Sequence, residues 1–281
     1  METVFPKKAD RPTIYHYKVD VILGQGGTGA VYRGLDPKTN EVVAIKMFRQ
    51  NFFRNAMHQR DVAKTAKRWR KLSHPNVVRI LDFLTGKEGD CLIIEYIDGP
   101  DLKRYLAQRA YNLQERLLIA AQICNGLQFI HESGFIHHDL KPANVLFTRK
   151  GQVKLTDFSL YGTGGLLGFL DRGYSDQITP MYVAPELIRK EKATKATDMY
   201  SLGVMFYLLF TGKHPFEMDN IQRLYLAHLH SAALHPTVIN DIVPQSLGDI
   251  VMRLLAKDPE RRWPDCDQLR IALATFGKSR I

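Results

Sequence analysis

The chain has 281 residues, a length for about two domains or one large bilobal one, and its 45% apolar and 24% charged residues exclude disordered and collagen-like classes. Lys and Arg number 39 against 29 Asp and Glu, a net charge of +10. That charge reads first as a solvated basic surface and also suits a phosphate-bearing or acidic partner. Cys91, Cys124 and Cys266 form no CxxC pair, so neither a zinc ribbon nor a disulfide framework is signalled, and a reducing, cytoplasmic setting is expected.

The opening residues are polar and carry no signal-peptide pattern. Residues 17–23, 30–35 and 42–48 carry the β-branched and aromatic residues of strands. The last two flank Asp36-Pro37-Lys38-Thr39-Asn40, a turn signal that predicts a hairpin. Residues 55–72 read as a helix with a very basic face, and 77–84 and 91–96 as two more strands. Beyond Asp98-Gly99-Pro100 helical patterns dominate, with candidates at 102–109, 113–133, 198–211, 221–230 and 246–255. The most apolar run, 199–210, falls well short of the roughly 20 residues that cross a bilayer, so it reads as a buried helix. A β-rich part followed by a larger helical part is an α+β architecture.

Five motifs carry chemistry. Gly24-Gln25-Gly26-Gly27-Thr28-Gly29 can bring backbone N–H groups close to phosphates, or can be a plain Gly-rich turn. It also resembles a dinucleotide fingerprint, but that pattern needs a helix after the glycines, and here Val31 opens a strand. Val43-Ala44-Ile45-Lys46 puts a lysine inside an apolar strand, which suits a Lys that meets an anion or one that snorkels from an edge. His138-Asp139-Leu140-Lys141-Pro142-Ala143-Asn144 offers a base, a cation and a metal-binding amide within a few residues. Thr156-Asp157-Phe158-Ser159 places an acid just after a strand, and Ala184-Pro185-Glu186 closes the set. Each alone could be a set of loop residues; together, in this order, they point one way.

With these motifs in sequence, residues 17–276 resemble a eukaryotic-type protein kinase domain of the Ser/Thr family. The resemblance implies the bilobal protein-kinase fold, with an N-terminal extension over 1–16, a β-rich lobe over 17–97 and a helical lobe over 98–281. It implies an ATP- and Mg²⁺-dependent transfer of the γ-phosphoryl group to Ser/Thr hydroxyls of protein substrates, with autophosphorylation. Leu23, Gly24, Gln25, Gly26, Gly27, Thr28 and Gly29 would cover the nucleotide, and Lys46 would contact its α- and β-phosphates. Val31, Ala44 and Leu146 would sandwich adenine, Glu95 and Ile97 would meet its edge behind Ile94, and Asp101 would lie near the ribose. Asn144 and Asp157 would hold Mg²⁺, Asp139 would take the hydroxyl proton and Lys141 would face the γ-phosphate. Lys141 and Thr179 match the Ser/Thr-specific pattern, and Glu186 is expected to pair with Arg262. Ser159, Thr163, Ser175 and Thr179 fall in the expected activation segment, with Tyr161 and Tyr174 as further possible phosphosites.

Three residues depart from the family's pattern. The helix Glu that partners the strand Lys is replaced by Thr65, and the only acid on that helix is Asp61. The Arg before the catalytic Asp is His138, so activity is expected to depend less on phosphorylation of the loop. The Gly of the DFG motif is Ser159, which narrows the backbone conformations open to the loop. The basic helix 54–71, with Arg54, Arg60, Lys64, Lys67, Arg68, Arg70 and Lys71, is a solvated face or the dock of an activator or an acidic, phosphorylated partner. His228, His230 and His235 read as surface helix histidines rather than metal ligands, and Trp69 as a core residue. The competing readings are a pseudokinase scaffold and a small-molecule phosphotransferase; nucleic-acid binding rests on charge alone and no membrane span is expected.

Overall fold

The structure, a computed structural model, describes residues 12–50, 52–53, 55–158, 179–217 and 219–276. Ser159, Thr163, Ser175, Tyr161 and Tyr174 lie outside the described residues. The chain divides into two compact units, Met1–Ser73 with Val78–Ile97 and His74–Val77 with Asp98–Ile281.

The first unit is an antiparallel sheet of six strands: β1 (Thr13–Ile14), β2 (Tyr17–Gly26), β3 (Gly29–Leu35), β4 (Val42–Phe48), β5 (Ile80–Leu84) and β6 (Cys91–Glu95). Their order is β1-β2-β3-β4-β6-β5. The 36–40 turn makes the expected hairpin, with Leu35 opposite Val42 and Gly29 opposite Phe48. Asn40, at φ 59°, turns the chain, and its N–H donates to the Asp36 carbonyl at 2.8 Å. Alternation sends Val43 and Ile45 of β4 to one face, where they join Tyr17, Val19, Cys91 and Ile93 in a buried core. Strand β2 runs past the expected residue 23 to Gly26, because its glycines pair with β3 up to a two-residue turn at Gly27 and Thr28.

The unit's helix, α1 (Ala56–Trp69), starts at the Asn55 side chain, which accepts from the His58 N–H at 2.8 Å. Val62, Ala66 and Trp69 form its buried stripe, which bears out the core placement of Trp69. Residues 70–72 continue only as a tight turn. The expected strand at 77–84 begins three residues late. Val77 belongs to the second unit, where it bridges Leu155, so its apolar character serves packing there and not this sheet.

The second unit is helical: α2 (Leu102–Ala107), α3 (Leu113–Glu132), α4 (Pro185–Ile188), α5 (Lys195–Thr211), α6 (Ile221–His230), α7 (Pro236–Ile239), α8 (Gln245–Leu254) and α9 (Cys266–Ala274). A hairpin of β7 (Val145–Phe147) and β8 (Val153–Leu155) interrupts them. Helix α3 opens on a capping box between Asn112 and Glu115. Helix α5 is buried from Thr197 to Tyr207, as its apolar run predicts. Three-residue strands and four-residue helices are too short to show a hydrophobic period, which is why β7, α4 and α7 escaped the sequence reading, whereas β8 is the strand expected just before Asp157.

Two buried polar clusters tie this unit together. Arg262 Nη1 and Nη2 donate to Glu186 Oε1 and Oε2 at 2.7 and 2.8 Å, and Thr197 Oγ1 donates to Oε1 at 2.9 Å. Burial would push the Glu186 carboxyl up, but the Arg262 bonds outweigh it and hold the group below its ordinary range. The second cluster corrects the reading of the histidines. His228 is fully buried, and its Nδ1 lies 2.9 Å from the Tyr200 hydroxyl. One turn from Leu224 on α6, it shares that helix's buried face. Burial and the Lys257 cation lower its pKa to about 3, and burial chiefly brings Lys257 down to about 8.

Arg262→Ala strands a buried carboxylate and is expected to cost about 3–5 kcal/mol in denaturant unfolding. The unfolded chain protonates His228 near 6.5, whereas the folded chain keeps it neutral down to about 3. Its contribution is therefore full above pH 6.5 and declines as pH falls, by about 2 kcal/mol at pH 5. His228→Phe should flatten the fall in thermal stability between pH 7 and 5; an unchanged slope would show that His228 does not drive it.

Candidate active site

In the first unit, β3, β4 and β6 gather the expected nucleotide residues by register alone. Val31 lies opposite Lys46 and Ala44 opposite Ile94. Ala44 and Lys46 are two residues apart, so all four share one face of the sheet, opposite the Val43–Ile45 core. Above them the β2–β3 hairpin carries the glycines. Gly29 holds φ +148°, and a Cβ there would fall 1.8 Å from the Met47 carbonyl oxygen, so its glycine is demanded by packing. Gly24 and Gly26 differ: a Cβ on either would meet nothing within 4 Å. Their missing side chains leave open backbone that a phosphate could approach. The Arg49 N–H donates to the Thr28 carbonyl at 3.0 Å and tethers the turn to the end of β4. The Glu95 N–H is already committed to the Arg79 carbonyl at 2.9 Å, so only its carbonyl could serve a ligand. Ile97 is buried.

The departures at α1 have a geometry of their own. Asp61 is 59% exposed and lies 4.0 Å from Lys64, on the solvent side of the helix. Thr65 is half-buried beside the Val62–Ala66–Trp69 stripe.

In the second unit, the loop after α3 hangs on one carboxylate. Asp198, near the start of α5, accepts the His137 N–H at 2.7 Å and the His138 N–H at 2.9 Å, and its Oδ2 lies 2.8 Å from His131 Nε2. These bonds hold His138 at φ 69°, a left-handed conformation costly for a bulky residue. Burial alone would raise the Asp198 pKa; the bond to His131 leads the effects that bring it below the ordinary value. Burial lowers the pKa of both His137 and His138. His138 is therefore neutral near pH 7, and cannot supply the permanent cation an arginine would.

Past His138 the loop assembles a polar cluster. Lys141 Nζ is 2.7 Å from Asp139 Oδ2 and donates to Thr179 Oγ1 at 3.0 Å. Asn144 Nδ2 donates to the Asp139 carbonyl at 2.7 Å and to Asp139 Oδ2 at 2.9 Å. Because both partners are acceptors, the amide orientation is decided: nitrogen faces Asp139, and Oδ1 is the atom left to a cation. The Thr156 N–H donates to the Asn144 carbonyl at 3.0 Å, which sets the next residue, Asp157, beside Asn144. Asp157 also has a positive φ, 57°. An amide oxygen and a carboxylate are the hard donors that suit Mg²⁺. Among the described residues no group of three or more His, Cys, Asp or Glu is arranged to hold a metal, His228, His230 and His235 included.

The remaining expected residues are placed as follows. Leu146 of β7 bridges Asp101. Asp101 caps α2, accepting the Arg104 N–H at 2.8 Å, so one of its oxygens is already used. The sequence reading assigned no bonds to Asp198 and missed His131, which gives only the signal of a histidine near the end of a helix.

Comparison with known proteins identifies the family. A family model described as the protein kinase domain matches residues 17–270. Serine/threonine-protein kinase PrkC of Bacillus subtilis is 31% identical over 271 residues, which cover 94% of this chain and 41% of that protein. Serine/threonine-protein kinase PkaA of Streptomyces coelicolor is 34% identical over 287 residues, 95% of this chain and 51% of that protein. The chain thus spans about half or less of these curated relatives. A crystal structure of a mutant Mycobacterium tuberculosis PknI kinase domain matches with a TM-score of 0.74 and 22% identity, over 96% of this chain and 99% of that one, a likeness of fold.

Asp198→Ala removes the acceptor of two backbone N–H groups and of His131. Unfolding in denaturant should show a loss of about 3 kcal/mol or more. Asp198→Asn keeps one oxygen and should lose less; equal stability of all three proteins would show that the loop does not depend on this anchor.

Proposed function

Because the chain belongs to the protein kinase domain family, we propose that it transfers the γ-phosphoryl group of ATP to Ser and Thr hydroxyls of protein substrates, itself among them. The single observation that carries this reading is the hydrogen-bonded series Asn144–Asp139–Lys141–Thr179. Asp139 Oδ2 takes both the Lys141 and the Asn144 bond, which leaves Oδ1 to orient a substrate hydroxyl and accept its proton. Lys141 offers a cation to the transferring group, and its bond to Thr179 supports the Ser/Thr preference. Asn144 Oδ1 and the Asp157 carboxylate would hold Mg²⁺, which when bound neutralises charge on the phosphate oxygens. Lys46 would meet the α- and β-phosphates and the open backbone at Gly24 and Gly26 the rest of the phosphate chain. Leu23, Gln25, Gly27 and Thr28 would complete the flap; Val31, Ala44 and Ile94 of the first unit would offer apolar surface to adenine, as the kinase resemblance also implies for Leu146 of the second.

The reading extends to regulation and setting. A neutral His138 supports an activity that depends little on phosphorylation of Ser159, Thr163 or Ser175. Arg60, Lys64 and Lys67, spaced i, i+4, i+7, line the exposed side of α1, and Arg68, Arg70 and Lys71 extend the basic surface. That stripe supports docking of an acidic or phosphorylated activator. No helix of the described residues is long and apolar enough to cross a membrane, and the buried, unpaired state of Cys91, Cys124 and Cys266 fits a cytoplasmic signalling role.

The test is Mg-ATP autophosphorylation read by mass spectrometry, beside Asp139→Asn and Lys46→Ala. Phosphate on Ser and Thr of the wild type, with incorporation down about 100-fold or more in either variant, is expected. No phosphate on the wild type, with nucleotide binding intact, would replace this reading with a pseudokinase scaffold. Joint alanine replacement of Ser159, Tyr161, Thr163, Tyr174 and Ser175 should retain most activity; its abolition in a folded protein would refute the role given to His138.

A further inference from the structure

The segment between β4 and α1 carries an aromatic cluster that no part of the proposed reaction uses. Phe48, the last residue of β4, stacks on Phe52 with centroids 4.8 Å apart. Phe53 stands edge-on to Phe48 at 5.2 Å, to Phe52 at 5.1 Å and to Phe83 of β5 at 6.0 Å. On its other side Phe53 meets the His58 ring, in the first turn of α1, at 5.6 Å. The next residue completes the attachment: Gln59 Nε2 donates to both oxygens of Asp90, at 2.8 and 2.9 Å. Asp90 also accepts the Phe48 N–H on its carbonyl at 3.0 Å. One residue before β6 therefore grips both the end of β4 and the start of α1.

The side of the sheet on which this happens matters. Phe48 is two residues from Lys46, and Phe83 lies opposite Leu92, which lies opposite Lys46. By strand alternation all four side chains belong to one face. The rings thus join α1 to the face that bears Lys46. Helix α1 carries no glutamate, and its one acid, Asp61, is turned to solvent. At its far end Trp69 is buried, and the ion pair there, Arg70 with Asp82 at 3.6 Å, is an exposed one of the kind that contributes little. To the buried stripe the N-terminal attachment adds stacked and edge-on rings at favourable separations and a two-point hydrogen bond.

We propose that Phe53 and Gln59 are positioning residues: the Phe48–Phe52–Phe53–Phe83 clasp and the Gln59–Asp90 bond set the position of α1 on the face of Lys46 and so keep the phosphate-binding lysine productive. This rests on the kinase reading for its catalytic consequence, though the attachment of α1 is a claim of its own. No side chain of the clasp touches nucleotide or substrate in this scheme. Its loss acts through α1 on the geometry of transfer, where a displacement of about 1 Å can lower the rate about 100-fold.

The experiment uses the full chain and its Phe53→Ala, Phe53→Leu, Gln59→Ala and Asp82→Asn variants. It measures thermal unfolding, amide hydrogen exchange over 56–69, Mg-ADP affinity, and kcat and KM for ATP. Phe53→Ala and Gln59→Ala should speed exchange in α1 while the strands stay protected. Each should lower kcat by ~10- to 100-fold with KM for ATP changed less than about threefold. Phe53→Leu, which refills most of the volume, should recover most of the rate, and Asp82→Asn, which breaks only the exposed Arg70 pair, should remain within about twofold of wild type. Unchanged α1 exchange in both alanine variants overturns the proposal. So does a fall in activity that merely follows the fraction unfolded, or one that Phe53→Leu does not relieve. A wild type without phosphoryl transfer overturns the kinase reading instead, and α1 exchange then decides the clasp by itself.

Discussion

The Asp198 carboxylate is the group on which the loop carrying Asp139, Lys141 and Asn144 depends. It is almost entirely shielded from water, and it is tolerable there only because three donors converge on it. Two of these are consecutive backbone N–H groups, so satisfying the charge also dictates the path of the chain. His138 is forced to a positive φ, and the turn delivers Asp139, Lys141 and Asn144 to one cluster. The anchor rides on α5, the most deeply buried helix of its unit, and Glu186 with Arg262 secures the segment that precedes that helix. A rigid core thus fixes the polar groups of a loop whose own apolar residues, Ile136 and Leu140, are buried as well.

Within that loop, hydrogen bonding divides the work before any ligand is involved. Asp139 spends one oxygen on Lys141 and Asn144 and keeps the other. Asn144 spends its nitrogen on Asp139 and keeps its oxygen. Each residue therefore presents the atom that its proposed role needs, and a rotated amide or carboxylate would break a bond already made. In the first unit the same economy shows in the glycines: Gly29 is required by a neighbouring backbone, whereas Gly24 and Gly26 are required by nothing in the protein. A residue type that folding does not demand is one that a ligand can.

Helix α1 separates two functions onto two sides. Its buried stripe and aromatic clasp attach it to the sheet, and its outer side is a run of cations with one acid among them. Where an acid could have bound the helix to the sheet by charge, this chain uses rings and an amide. Such contacts are indifferent to salt, which leaves the basic surface free to respond to an acidic partner without loosening the helix.

Much of this was legible in the sequence, because strands and long helices announce themselves by period and because phosphate chemistry needs particular side chains at short spacing. The hairpin at 36–40, the β4 strand, the 221–230 helix and the set Lys46, Asp139, Lys141, Asn144 and Asp157 could all be named without coordinates. The tertiary structure decided what depends on distant partners. His228 read as a surface residue and is buried against Tyr200; Val77 read as strand and belongs to the other unit; the partners of Asp198, and the roles of Gln59 and Phe53, gave no local sign. The reason is physical. Periodicity and motif spacing record what a residue does with its neighbours along the chain, whereas the value of a buried charge, a ring or an amide is set by the groups that folding brings to it.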